Sequence, residues 1–119
     1  MRLTQNRMYE EERTMTYEEM IVKVKDNFKD KDISHMKEHL AYQFNITGEG
    51  EGSFYVEVKD GKLFIEPYTY NDNDAVFTCT ADVLFKLISK KLDPIAAFTF
   101  KKLKVDGDLG KALKLKEIL

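Results

Sequence analysis

A chain of 119 residues suffices for one domain, and at that size folding hides roughly two thirds of the surface the unfolded chain exposes. Hydrophobic residues at 43% and charged residues at 34% are ordinary for a globular protein, and a net charge of -2 supplies no broad basic field for nucleic acid or an anionic membrane, only local patches. No run approaches the roughly 18 apolar residues of a transmembrane helix. The single cysteine, Cys79, cannot form an internal disulfide, which suits a reducing cytoplasm.

Residues 1 to 14 alternate charges with scattered Met and Tyr, where a secretory signal would need an apolar stretch. They are expected to form a flexible leader ahead of a single domain over residues 15 to 119. Thr16 with Glu19 three residues on is a capping box, and Tyr17, Met20, Ile21, Val24 and Phe28 share one helical face, so a helix should run to about Lys29. A short second helix through Ile33, Met36 and Lys37 is weakly marked. From Leu40 the period changes to two: Leu40, Tyr42, Phe44 and Ile46 alternate with Ala41, Gln43 and Asn45, as a half-buried strand requires.

Gly48, Gly50 and Gly52 supply a turn, Phe54, Val56 and Val58 resume the alternation, and Asp60-Gly61 makes a tight hairpin. The third strand, Leu63 to Glu66, ends at Pro67 and so belongs at an edge. Ala75 to Thr80 is a fourth strand, with Phe77 and Cys79 on one face. Asp82 is expected to cap a helix with the stripe Leu84, Leu87, Ile88 and Lys91 or Leu92. Asp93 as N-cap and Pro94 at the first helical position open a short helix, Leu103 to Val105 form the fifth strand, and Gly107-Asp108 opens a terminal helix.

No catalytic set emerges from this walk. Gly48-Glu49-Gly50-Glu51-Gly52 joins strand to strand and carries two glutamates, unlike a phosphate-cradling loop. A calcium loop starting at Asp72 would need Gly at its sixth residue and Glu at its twelfth, and finds Phe77 and Val83. His35 and His39 could hold two corners of a zinc site if helical, but spacing alone is a weak signal. Cys79 has no adjoining base and reads as a small buried hydrophobe. Neither a metal nor a cofactor is expected. Lysines at 101, 102, 104, 111, 114 and 116 make the last quarter basic: a solvated face, or a surface for transient contact with anionic lipid.

Asp93-Pro94, Ala97-Phe98, Leu103-Lys104-Val105, Gly107-Asp108-Leu109-Gly110 and Ala112-Leu113-Lys114-Leu115 together resemble the closing signature of the sterol carrier protein type 2 family of lipid-binding domains. The likeness extends upstream through Tyr42-Gln43-Phe44, the three glycines and Asp60-Gly61, and covers roughly residues 17 to 119. Lys101 departs from it, standing where the family usually has a glycine. The animal members' Ser-Lys-Leu tail is also missing, since the chain ends Glu117-Ile118-Leu119, and a bacterial-type cytoplasmic protein is expected.

The resemblance implies an α+β fold in which a five-stranded, mainly antiparallel sheet is covered by about five helices. It further implies an apolar tunnel taking fatty acid, fatty acyl-CoA or a sterol-like ligand, with the terminal helix as wall or lid. The protein would then be a non-catalytic carrier. Its ligand-binding residues would be Phe77, Leu84, Leu87, Ile88, Phe98, Phe100, Val105, Leu109, Ala112 and Leu113, with Met20 and Val24 opposite and Gln43 as a polar contact. The alternative is a protein-interaction or homodimerisation module of the same fold with a filled core, because periodicity cannot separate a packed core from a lined cavity.

Overall fold

Thr16 starts the first helix in the computed structural model, which describes residues 15–69 and 71–119. The Thr16 hydroxyl accepts from the Glu19 N–H at 3.1 Å, and the Glu19 carboxylate accepts from the Thr16 N–H at 2.9 Å. Two of the donors that a helix start leaves unsatisfied are thereby paired. The helix, α1 (Tyr17–Phe28), buries Met20, Ile21, Val24 and Phe28. The leader expected over residues 1 to 14 lies outside the described residues.

Between α1 and the first strand the chain forms a turn where a second helix was expected. The Asp32 carboxylate accepts from both the backbone N–H and the hydroxyl of Ser34, and the Met36 N–H bonds the Ile33 carbonyl, so Ile33 and Met36 are buried without a helix. Strands β1 (Leu40–Thr47), β2 (Gly52–Lys59), β3 (Lys62–Glu66) and β4 (Ala75–Thr80) follow. Then come α2 (Ala81–Ile88), α3 (Pro94–Thr99), β5 (Lys104–Gly107) and α4 (Leu109–Leu113), closed by a 3-10 turn at Lys114–Glu117. The sheet order is β3-β2-β1-β4-β5, with β3 at an edge as Pro67 requires. Among these strand pairs only the central β1–β4 pair is parallel. Asp60 at φ 54° and Gly61 at φ 73° form the expected two-residue hairpin between Lys59 and Lys62.

Register places Phe44 between Phe54 of β2 and Phe77 of β4, and the rings stack at centroid distances of 5.1 Å on both sides. Tyr42 meets Phe77 edge-on at 5.2 Å. This aromatic row forms one wall of the core, and α1 and α2 cover it. The α2 N-cap is Thr80, whose hydroxyl accepts from the Val83 N–H at 3.2 Å. Asp82, expected as the cap, lies in the first turn, where its charge complements the helix dipole.

Two helices end in the same way. At the close of α2, Lys91 N–H bonds the Lys86 carbonyl and Lys90 N–H that of Leu87; at the close of α3, Lys102 N–H bonds Ala97 and Lys101 N–H bonds Phe98. This Schellman pattern needs a left-handed residue, and lysine fills the position both times, Lys90 at φ 64° and Lys101 at φ 62°. The missing glycine therefore leaves the loop path intact but puts a side chain in a conformation glycine adopts more readily. Lys101→Gly is expected to raise stability by roughly 0.5–1 kcal/mol, read as a higher urea midpoint at unchanged slope. A lower midpoint would mean that the lysine side chain contributes more than its backbone strain costs.

Cys79 is buried on the helix-facing side of β4, and desolvation pushes its thiol up to about 12. It should resist Ellman's reagent at mildly alkaline pH until denaturant is added. Modification of the native protein at the rate of a free thiol would contradict this burial.

Candidate functional site

Asp93 opens α3 by accepting the Ala96 N–H at 3.0 Å, with Pro94 at the first helical position. Its one buried residue is Ala97; Ile95 and Phe98, three apart, share a face that nothing fully covers. The chain then reverses into β5, which begins at Lys104 and runs to Gly107 where Leu103 to Val105 was expected; Leu103 just before it is buried and Val105 within it packs against the core. Asp108 next caps α4 by accepting the Lys111 N–H at 3.0 Å, and Leu109 and Leu113, four apart, look back toward α3.

Between the two short helices lies an apolar slot of about 250 Å³. Its base is Phe77, Leu103, Val105, Ala112 and Leu115, and its sides are Pro94, Ile95 and Phe98 against Leu109 and Leu113. Among the described residues Lys116 is its one charged lining group. Ile95, Phe98, Leu109 and Leu113 remain 47%, 52%, 60% and 59% exposed, so these side chains enclose unfilled space. The space between sheet and helices thus takes the form of an open slot rather than the expected tunnel.

The α4 wall is tied to the sheet at one end. Asp74 is the hub of this tether: its carboxylate accepts from Ala41 N–H at 2.8 Å and from Lys111 Nζ at 3.1 Å, and its carbonyl accepts from Asp108 N–H at 2.9 Å. The Tyr42 hydroxyl donates to the Lys111 carbonyl at 2.5 Å. Burial raises the Tyr42 hydroxyl well above its ordinary range, and its hydrogen bond with Asp74 raises the Lys111 ammonium. Both groups hold their protons at neutral pH and act as fixed donors. Asp74, the third residue of the calcium loop weighed above from Asp72, thus serves as a structural hub.

The structure divides the expected binding residues into groups. Phe77, Phe98, Val105, Leu109, Ala112 and Leu113 come together around the slot. Met20 and Val24 of α1 and Leu84, Leu87 and Ile88 of α2 do not line it; they are almost wholly excluded from solvent in the continuous core. Phe100 caps α3 and stands 73% exposed outside the lining. Gln43 alternates with Tyr42 and Phe44, so it lies on the opposite face of the sheet, where its amide donates to Asn45 at 2.8 Å. The expected binding set omitted Pro94, Ile95, Leu103, Leu115 and Lys116, which also line the slot. For Ile95 the signal was available in its three-residue spacing from Phe98. Lys116 had none, because its place depends on the terminal 3-10 turn.

Among the described residues nothing around the slot assembles a nucleophile, a base and an orienting group. His39 pairs with Glu57 at 2.5 Å on the exposed surface, and among the described residues no three of His, Cys, Asp or Glu converge as metal ligands. No described helix is long and apolar enough to cross a membrane.

The mixed five-stranded sheet, its filled core and the apolar slot between α3 and α4 define a small α+β domain with an open hydrophobic slot beside the sheet. The chain belongs to the SCP-2 sterol transfer family, which it matches over residues 21–119. It is 38% identical over 81 residues to Hydroxysteroid dehydrogenase-like protein 2 of Xenopus tropicalis, an alignment covering 66% of this chain and 19% of that protein. The chain thus spans about a fifth of the length of that relative. Among solved structures, the crystal structure of Sterol Carrier Protein 2 Like 2 from Aedes aegypti superposes with a TM-score of 0.62 at 21% identity, covering 86% of this chain and 94% of that one. The solution structure of the palmitated form of the mosquito protein gives a TM-score of 0.62 at 22% identity, covering 87% of this chain and 94% of that one.

Proposed function

We propose that this domain binds the hydrocarbon part of an elongated lipid in the slot between α3 and α4, and carries it without chemical change. The observation that supports this reading most is an apolar, partly open slot whose described lining holds one charged group, Lys116, and no reactive constellation. Each buried methylene contributes about 0.8 kcal/mol, so apolar surface suffices for affinity and leaves chain length loosely specified. Lys116 gives a carboxylate or phosphate headgroup a cation at the rim. The palmitated mosquito relative supports a fatty acyl chain as the ligand class.

At about 250 Å³ the slot falls below the roughly 300–1,000 Å³ typical of small-molecule sites, so uptake of a whole chain requires its walls to part. The short α4 is the wall suited to move, because it is held by the Asp74 tether and not by a long buried face. The test is to denature and extract the purified protein, identify co-purified lipid by mass spectrometry, and titrate the delipidated chain with a fluorescent fatty acid. Saturable uptake in the micromolar range or tighter is expected. A lipid-free protein with no saturable uptake would overturn the carrier reading.

A further inference from the structure

Among the described residues, Val22, Phe64 and Tyr68 are exposed apolar groups away from the slot, but the others gather at one place: Ile95, Phe98, Leu109 and Leu113 edge the slot, and Phe100, the most exposed of them, projects from the C-terminal tip of α3. Directly after it come Lys101 and Lys102, both exposed. Alternation through the following residues sends Leu103 and Val105 into the slot and Lys102 and Lys104 to the other side. There they line a basic groove together with Lys86, Lys91 and Lys101. Lys86 is neutralised by Asp82 at 3.1 Å, but among the described residues no ion pair engages Lys91, Lys101 or Lys102. An aromatic tip flanked by unneutralised lysines is therefore set beside the slot opening, on a chain whose net charge is -2.

We propose that the α3 tip is a membrane-docking element: Phe98 and Phe100 enter the interface of an anionic bilayer while Lys91, Lys101 and Lys102 meet its headgroups, presenting the slot mouth to the membrane. Charge complementarity selects this occupant. Unpaired lysines around an apolar tip favour an anionic lipid surface, whereas a second copy would bring the same lysines against each other. The proposal deepens the carrier reading and rests on it, since a slot opening onto the bilayer lets a lipid pass without crossing water.

The chain contains no tryptophan, so Phe100→Trp installs a unique reporter, and Phe64→Trp on the β3 edge strand serves as a control. With vesicles containing phosphatidylglycerol, the indole emission of the Phe100→Trp protein is expected to shift to the blue and to be quenched by brominated lipid. Neither change is expected with phosphatidylcholine vesicles or in the Phe64→Trp protein. Lys101→Glu with Lys102→Glu should weaken co-sedimentation with the anionic vesicles by about tenfold or more, and salt should do likewise. Fatty-acid uptake measured without vesicles should stay within about twofold in all of these variants, whose folding is checked by circular dichroism.

Absence of both the blue shift in the Phe100→Trp protein and co-sedimentation would overturn docking, while retained uptake in solution would leave the carrier reading standing. An emission shift in the same variant that depends on protein concentration without vesicles, with a doubled mass by light scattering, would overturn docking by showing that the tip joins two copies of the chain.

Discussion

Leu113→Trp is expected to reduce fluorescent fatty-acid affinity by about tenfold or more while leaving the far-ultraviolet circular dichroism spectrum unchanged. Leu113 sits on the slot-facing side of α4 yet is 59% exposed, so a larger ring has room to form without forcing the core apart. In the slot that ring occupies space a ligand would fill. Excluding two or three methylenes forfeits about 2 kcal/mol, and each 1.4 kcal/mol is about tenfold in affinity. The control is Leu84→Ala, which lies in the filled core away from the slot. It should cost about 2–5 kcal/mol of stability, so its affinity is measured well below its melting point, where it should be little changed. Unchanged uptake in Leu113→Trp would move the binding space out of the α3–α4 slot.

Gly107→Ala is expected to be among the most destabilising single-methyl additions in the chain, lowering stability by about 2–4 kcal/mol in urea unfolding. Gly107 ends β5 opposite Ala75 and immediately precedes the α4 cap. Its φ of 107° is one L-residues rarely adopt, and a Cβ there would come within 2.7 Å of the Asp74 carbonyl oxygen and 3.0 Å of Ala75 Cα. Both obstacles are backbone, so relief requires β5 to move away from β4. The Asp108 N–H bond to Asp74 would be strained with it, loosening the end at which α4 is anchored. Fatty-acid affinity should fall in parallel, and faster hydrogen exchange is expected at the Lys111 and Ala112 amides. A stability within about 0.5 kcal/mol of the parent would show that β5 accommodates the methyl and that close approach here is incidental.

Much of the fold was legible before any tertiary information. The capping box at Thr16, the period-two run from Leu40, the Asp60-Gly61 hairpin, the edge placement of β3 before Pro67 and the Asp93-Pro94 start of α3 all mark themselves within a few residues, and each is where the structure has it. The misplacements fall where two local signals compete. Ile33 and Met36 have helical spacing, but Asp32 captures Ser34 and makes a turn, so among the described residues there are four α-helices where about five were expected. Thr80 and Asp82 are both good caps, and the strand's last residue wins.

The candidate site was legible only in part, through the apolar last quarter and the family resemblance it carries. Alternation alone already set Gln43 on the face away from Phe44, and hydrogen bonding to Asn45 keeps it there. Whether Leu84, Leu87 and Ile88 fill a core or line a cavity is not encoded in their spacing, because both arrangements need the same inward residues.

By itself the sequence determined most of the elements, their order and their buried faces, because caps, turns and periodicity act over a few residues. The tertiary structure alone decided that β1 pairs parallel to β4, that α1 and α2 fill their half of the interior, and that α3 and α4 stop short of each other. Those outcomes depend on side-chain volumes meeting across distant segments, and the slot is the space that α3 and α4 are too short to close.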